Sequence, residues 1–195
     1  MKLSSTGKTH DGMPGEPPGL APSTLRQAMA EFATGVTVVT TGGSRIHGMT
    51  ANAFTSVSLE PPTVLCCVSR HAEMHEVVLE ARHFGVSVMS FGQENLARYF
   101  ADKQRPLGAV QFRDVEWWAG ERTGAPLLAG ALAWLECMLA GAHVVGDHSI
   151  FIGEVVSSGR GSPSDGLMFF AGTFMRAARP VSSGTAEPVV PVSMR

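Results

Sequence analysis

Residues Val36-Thr37-Val38-Val39-Thr40-Thr41 are β-branched without exception. Two heavy atoms on Cβ lose freedom against a helical turn but pack well on a pleated surface, so this run reads as a strand. Its surroundings set the fold class. Upstream, Thr24 is placed to N-cap a helix, with Gln27 as capping-box partner, and Leu25, Ala28, Met29 and Phe32 form an apolar stripe at helical spacing. Gly35 ends that helix. Downstream, Gly42-Gly43 signals a turn, and a second strand starts at Ile46 and runs through Met49-Thr50-Ala51-Asn52-Ala53-Phe54. Pro61-Pro62 stops it, and a third strand spans residues 63–68.

Two helices are expected further on. Residues 71–82 put Met74, Val77, Val78 and Ala81 on one face, and residues 92–102 present Leu96, Tyr99 and Phe100. Residues 84–89, 115–118, 132–142 and 149–156 read as strands, and one last strand is expected within 167–175. Strands outnumber helices, and they do not alternate as β-α-β-α. The pattern predicts a mainly β, antiparallel barrel with a few covering helices.

The chain has 195 residues, 44 % hydrophobic and 16 % charged, which is too apolar for a disordered protein and suits one domain. Residues 1–22 carry Pro14, Pro17, Pro18 and Pro22 without periodicity and read as a disordered arm. Residues 180–195 read as a flexible tail, although Val189, Val190 and Val192 offer a contact to a partner subunit. The folded domain is thus expected over 23–179. Lys+Arg is 15 against 17 Asp+Glu, a net charge of −2 with no basic stripe, so nucleic acid is not an expected partner. The most apolar stretch, 125–145, is interrupted by Glu136, His143 and glycines, so no membrane span is expected. Nothing after Met1 and Lys2 resembles an export signal. Cys66, Cys67 and Cys137 make no disulfide framework, and adjacent cysteines on a strand point to opposite faces. A cytoplasmic protein is expected.

The common catalytic patterns are missing. There is no G-x-G-x-x-G, no P-loop, no H-E-x-x-H and no G-x-S-x-G. His71 and His75 are four apart on the expected helix, but zinc needs at least one more ligand. Glu136 is expected to meet an Arg or backbone donors rather than to act as an acid. Three stretches remain. The first, Gly48 to Ser58, is a strand whose middle turns small and polar, so a flat ligand can approach its backbone; a strand end at a bulge would look the same. In the second, Cys67-Val68-Ser69-Arg70 ends a strand before a helix, a place that favours a phosphate, or is simply a cap with a surface Arg. Third, Gly146-Asp147-His148 is a tight turn that sets His148 to contact a redox ligand, or is a plain hairpin.

Taken together, Phe32 to Thr40, Gly48 to Leu59, Pro61-Pro62, Gly130 to Cys137 and Gly146 to Val155 resemble, in order, the flavin reductase-like family of NAD(P)H:flavin oxidoreductases. The resemblance covers about residues 24–178. It implies an FMN-binding split β-barrel, antiparallel and Greek-key-like, that binds FMN or FAD as a homodimer. It further implies hydride donation by NADH or NADPH and a partner flavin-dependent monooxygenase. By resemblance, Thr50, Ala51, Asn52, Ala53 and Phe54 flank the flavin ring. Ser56, Val57 and Ser58, with Cys67, Val68, Ser69 and Arg70, lie toward the ribityl phosphate. His148 lies on the nicotinamide side, and Phe174 borders the site. Two departures stand out: His71-Ala72-Glu73 follows Arg70 where relatives carry hydroxyls, and Val110-Gln111-Phe112 replaces an Asp-Arg-Phe-like segment. Lys103 and Arg105 are candidates to restore positive charge. Hydride transfer needs stacked rings roughly 3–3.5 Å apart rather than an acid–base dyad, which fits the missing catalytic patterns. An oxidoreductase with retained FMN and a non-catalytic flavin carrier are the alternatives.

Overall fold

The β-branched run forms a strand covered on both faces. The computed structural model describes residues 21–180, so the expected arm and tail lie outside the described residues except at their inner ends. The elements are α1 (Pro22–Ala30), β1 (Thr34–Gly35), β2 (Thr37–Thr41), β3 (His47–Ala51), β4 (Phe54–Leu59), β5 (Pro62–Ser69), α2 (Glu73–Ala81) and β6 (His83–Val88). They continue with α3 (Glu94–Ala101), β7 (Trp117–Ala119), β8 (Pro126–Leu128), β9 (Ala133–Val145), β10 (His148–Arg160), β11 (Gly166–Phe170) and β12 (Thr173–Ala177). Every residue of β2 is buried. Val39 faces one core with Phe84, Cys137 and Phe151, and Val38 faces a second with Phe100, Phe112 and Leu128. The Thr37 hydroxyl donates to the Ala51 carbonyl (2.7 Å) and the Thr40 hydroxyl to the Pro126 carbonyl (2.6 Å), so neither is buried unsatisfied.

Seven strands form one antiparallel sheet in the order β3-β2-β6-β9-β10-β5-β4. Its outermost strands, β3 and β4, are consecutive in the chain and joined only by Asn52-Ala53. The sheet therefore curls until its ends meet at this link, where the Cys67 N–H donates to the Ala53 carbonyl (2.9 Å). Beyond the link, β3 and the Cys67–Ser69 end of β5 diverge. This is a barrel with a split. A second sheet, β1-β11-β12, and the β7-β8 hairpin lie outside it.

Several expectations need correction. Helix α1 starts at Pro22, whose fixed φ suits the first helical position, and Ala21 rather than Thr24 is its N-cap. Its apolar stripe does not meet the core: Leu25, Met29 and Phe32 stay exposed. The expected second strand is two, β3 and β4, because the chain crosses at Asn52-Ala53 from one edge of the sheet to the other. The expected last strand is the β11-β12 hairpin, which turns at Ala171 and Gly172, both at positive φ. Helix α2 begins at Glu73, so His71 is not on its face; His75 points inward, its Nε2 2.9 Å from the Ser149 hydroxyl. Strand β8 follows no β-branched run and goes unsignalled. Glu136 does meet backbone donors: the Arg122 and Thr123 N–H groups (2.9 and 2.8 Å) and the Thr123 hydroxyl (2.8 Å). Burial alone would raise this carboxyl, but those bonds and the Ser157 hydroxyl hold it below its ordinary value.

Side chains brace β3 where no strand pairs with it. The Gly48 N–H donates to Gln111 Oε1 (2.9 Å), and Gln111 Nε2 lies 3.1 Å from His47 Nδ1. The Arg105 guanidinium donates to the Gly48 carbonyl (2.5 Å) and lies 3.2 Å from His47 Nε2. Burial, and then the Arg105 charge, push the buried His47 down to about 4 from its ordinary 6.5. Between those values the unfolded chain binds a proton at this site that the folded chain refuses. Stability should therefore fall as pH drops from 6.5 toward 4.5, by about 2–3 kcal/mol from this group. Urea unfolding across that window should show the slope, and His47→Gln should flatten it. Core packing gives a second expectation. A Cβ at Gly153 would lie 2.4 Å from Phe84 Cζ, and Phe84 is fully buried. Gly153→Ala should lower the unfolding free energy by roughly 1–3 kcal/mol, read as a lower urea midpoint at unchanged slope.

Candidate functional site

An edge strand carries backbone N–H and C=O groups that no neighbouring strand uses. In the split two such edges face each other, and a cavity of about 370 Å³ lies between them. One wall is His47, Met49 and Thr50 of β3; the other is Ser69 of β5 with His71, Ala72 and Glu73 leading into α2. Ala101 at the end of α3 and Lys103, Arg105 and Leu107 after it close the cavity. This volume is at the low end for small-molecule sites.

Tertiary bonds fix the walls. The Thr50 hydroxyl donates to the Ala97 carbonyl of α3 (2.7 Å), which keeps its lone pairs as acceptors. Gly48 has no room for a side chain, because a Cβ there would lie 2.7 Å from the Phe100 ring. On the opposite wall, Ser69 is the cross-strand partner of His148, and the Arg70 N–H donates to the Asp147 carbonyl (2.9 Å). The Gly146-Asp147 turn, with Gly146 at φ 59°, thereby sets His148 beside the end of β5. His148 Nδ1 lies 2.9 Å from the Asp147 carboxylate, which can only accept. Nδ1 therefore carries the proton, and in the neutral ring Nε2 is left as an acceptor. The hydrogen bond from His148 holds the exposed Asp147 carboxyl below its ordinary value.

Glu73 would repel an anion in the cavity if its carboxylate were unpaired. Arg45 bonds Glu73 and also Glu80, the latter at 2.8 Å. The one carboxylate on the cavity wall is thus engaged by a guanidinium. The remaining charged groups on the wall, Lys103 and Arg105, are cationic.

The structure brings together Thr50, Ser69, Arg70 and His148 at one end of the barrel. Asn52 and Ala53 form the link and are exposed; Phe54 packs against the barrel core. Ala51 and Val68 point into that core, and Cys67 points to the other face, so these three present only backbone to a ligand in the split. Ser56 and Ser58 flank a β-bulge and pair with Val64 and Thr63, toward the far end of β5 from Ser69. The Ser58 hydroxyl is spent on Glu60, donating to its carbonyl (3.0 Å) and accepting from its N–H (3.1 Å). Phe174 does not line the cavity: its ring packs on Phe169 and lies under Arg98, 4.8 Å from the guanidinium carbon. His47 and Gln111 were not signalled as site residues, because His47 meets Gln111 and Arg105 only across long stretches of sequence.

The flavin reductase like domain model matches residues 29–178. An NADH-dependent FAD reductase of Streptomyces globisporus is 51% identical over 162 residues, 83% of this chain and 89% of that protein. An NADH-dependent flavin reductase of a Rhodococcus species is 40% identical over 163 residues, 80% of this chain and 87% of that one. Among solved structures, BorF, the flavin reductase component of a bacterial two-component tryptophan halogenase, aligns with a TM-score of 0.79 at 47% identity, covering 82% of this chain and 100% of BorF. The NADH:FAD oxidoreductase SgcE6 of Streptomyces globisporus, in complex with NAD and FAD fragments, aligns with a TM-score of 0.74 at 47% identity, covering 84% and 94%. A barrel split beside a ligand-sized cavity, and sequence likeness over most of its length, place this chain in the flavin reductase-like domain family.

Proposed function

We propose that this chain is a flavin reductase: it moves a hydride from NADH to FMN or FAD and supplies the reduced flavin to a partner flavin-dependent monooxygenase. The carrying observation is the cavity between β3 and the end of β5, with His148 beside it. A flavin ring is flat and edged with hydrogen-bonding atoms, and two opposed backbone edges suit it. The Streptomyces globisporus and Rhodococcus relatives are NADH-dependent, which makes NADH the expected donor and NADPH the alternative.

When bound, the flavin supplies the hydride acceptor. The protein binds and orients. Backbone from Thr50 to Phe54 flanks the ring, and Ser69 and Arg70 serve the phosphate. Ser56 to Ser58 lie farther along β4 and contribute the shape of the bulge rather than a direct phosphate contact. His148 offers Nε2 to the nicotinamide side, its ring orientation fixed by Asp147. Phe174 acts on the site through α3, beneath Arg98. The free thiols of Cys66, Cys67 and Cys137 favour a cytoplasmic location.

The outer face of the sheet supports a homodimer. Thr55, Leu65 and Ile152 form one cross-strand row and Cys67 with Ile150 another, on the face opposite the core. Val57, Val144 and Val145 add exposed apolar surface, and the α1 stripe with Phe32 at 64 % exposure adds more. Monomeric proteins rarely leave so much apolar surface to water. Sedimentation equilibrium should give twice the chain mass, and Ile152→Lys should shift it toward the monomer.

Oxidation of NADH and of NADPH with FMN, FAD and riboflavin in excess tests the activity. Saturable turnover that depends on added flavin is expected. Flavin binding without turnover for any pair would leave a carrier instead. His148→Ala should lower turnover by roughly tenfold while flavin affinity stays within about twofold; equal losses in both would remove His148 from the nicotinamide side.

A further inference from the structure

We propose that a second cavity, between the β7-β8 hairpin and the main sheet, binds a small organic cation with an alkylated ammonium head. This goes beyond the flavin reductase reading, because the cavity, of about 360 Å³, shares no lining residue with the one in the split. It lies against Ser157 to Gly159 of β10, roughly 30 Å along that strand from His148 at the usual rise per residue. The sheet builds its floor. Successive strand side chains alternate, so Trp134 and Glu136 of β9 share one face, with Gly159 and Ser157 of β10 opposite them. The Trp134 Nε1–H donates to the Leu128 carbonyl (2.7 Å), which fixes the ring. The hairpin brings Trp118 against it: the ring centroids are 4.7 Å apart and the planes meet at 67°. Trp118 is 43 % exposed, so the ring pair is reached from solvent.

The face of an aromatic ring is negative, and tryptophan attracts a cation most strongly. Two rings set at an angle offer a rounded cation more than one flat surface. The charged groups around the cavity act in the same sense. Glu121 and Glu136 line it, and among the described residues no Lys or Arg does. Neither carboxylate has an ion-pair partner among the described residues. Burial alone would neutralise Glu136, but the bonds from Thr123, Arg122 and Ser157 outweigh it and keep the group ionised. The Thr123 and Arg122 bonds all end on Oε2. This carboxylate therefore has no free pair of oxygens for the fork of a guanidinium. It offers charge rather than a bidentate bond. A quaternary ammonium has no N–H to satisfy and needs only that charge and the ring faces. The volume also suits a small ligand.

The site carries its own reporter. Trp117, Trp118 and Trp134 are the chain's three tryptophans, and the last two line the cavity. The full chain, free of flavin, is titrated with choline at constant ionic strength while its tryptophan fluorescence is followed. A saturable change with half-saturation at or below about 1 mM is expected. Dimethylbutanol, the neutral alcohol in which carbon replaces the charged nitrogen of choline, should bind at least about tenfold more weakly. Trp118→Leu should raise the half-saturation by about tenfold, read from Trp134, and Glu121→Gln by about threefold. Both side chains are exposed. Flavin affinity within about twofold of the unaltered chain checks that each variant is folded, since the two sites are far apart. No saturable change up to about 20 mM choline would overturn the proposal. So would equal binding of the neutral alcohol, which would make the cavity a plain apolar crevice. Choline binding left unchanged by both substitutions would move the cation elsewhere on the molecule and overturn it too.

Discussion

Two strands joined by only two residues cannot lie at opposite ends of a seven-stranded sheet unless the sheet curls. That constraint, applied at Asn52-Ala53, shapes this molecule. It brings β3 and β5 side by side, yet it leaves their far halves unpaired because β4 turns away along β5. The split is therefore a product of connectivity. Its two backbone edges are turned toward a cavity, and helix α3 and the segment that follows it cover the opening. An edge that would otherwise invite another strand is covered instead.

The bracing of β3 shows what replaces a missing strand. Gln111 caps the Gly48 N–H, Arg105 caps the Gly48 carbonyl, and the Thr50 hydroxyl reaches α3. These bonds satisfy backbone groups that a ladder would have satisfied. They also keep the segment after α3 in place, so the strand and the cavity wall are held by the same side chains.

How much of this was legible in the sequence depended on distance along the chain. β2 was plain, because β-branching is a local property. The end of β5 and the turn before β10 were also plain as elements, and they put Ser69, Arg70 and His148 at one end of the barrel. The Asn52-Ala53 crossing was not, because neither residue is Gly or Pro and the strand pattern runs straight through them. The β11-β12 turn hid behind Ala171, a residue that rarely takes positive φ. The contacts of His47 with Arg105 and Gln111 span 58 and 64 residues, so no local pattern announces them. Phe174 fits an aromatic border in the sequence, but the hairpin it occupies packs it on Phe169 and away from the cavity. The apolar stripe of α1 was read correctly as a stripe; periodicity does not say whether its own chain or another covers it.

The buried thiols carry a consequence for the company this protein keeps. Reduced flavin that meets dioxygen gives peroxide, and peroxide attacks the thiolate rather than the thiol. Burial pushes both Cys66 and Cys137 up to about 12. At neutral pH roughly one in a hundred thousand of each is then ionised, against about three in a hundred for an ordinary cysteine. A chain that handles an autoxidisable product keeps these two sulfurs in the form that its own by-product leaves alone.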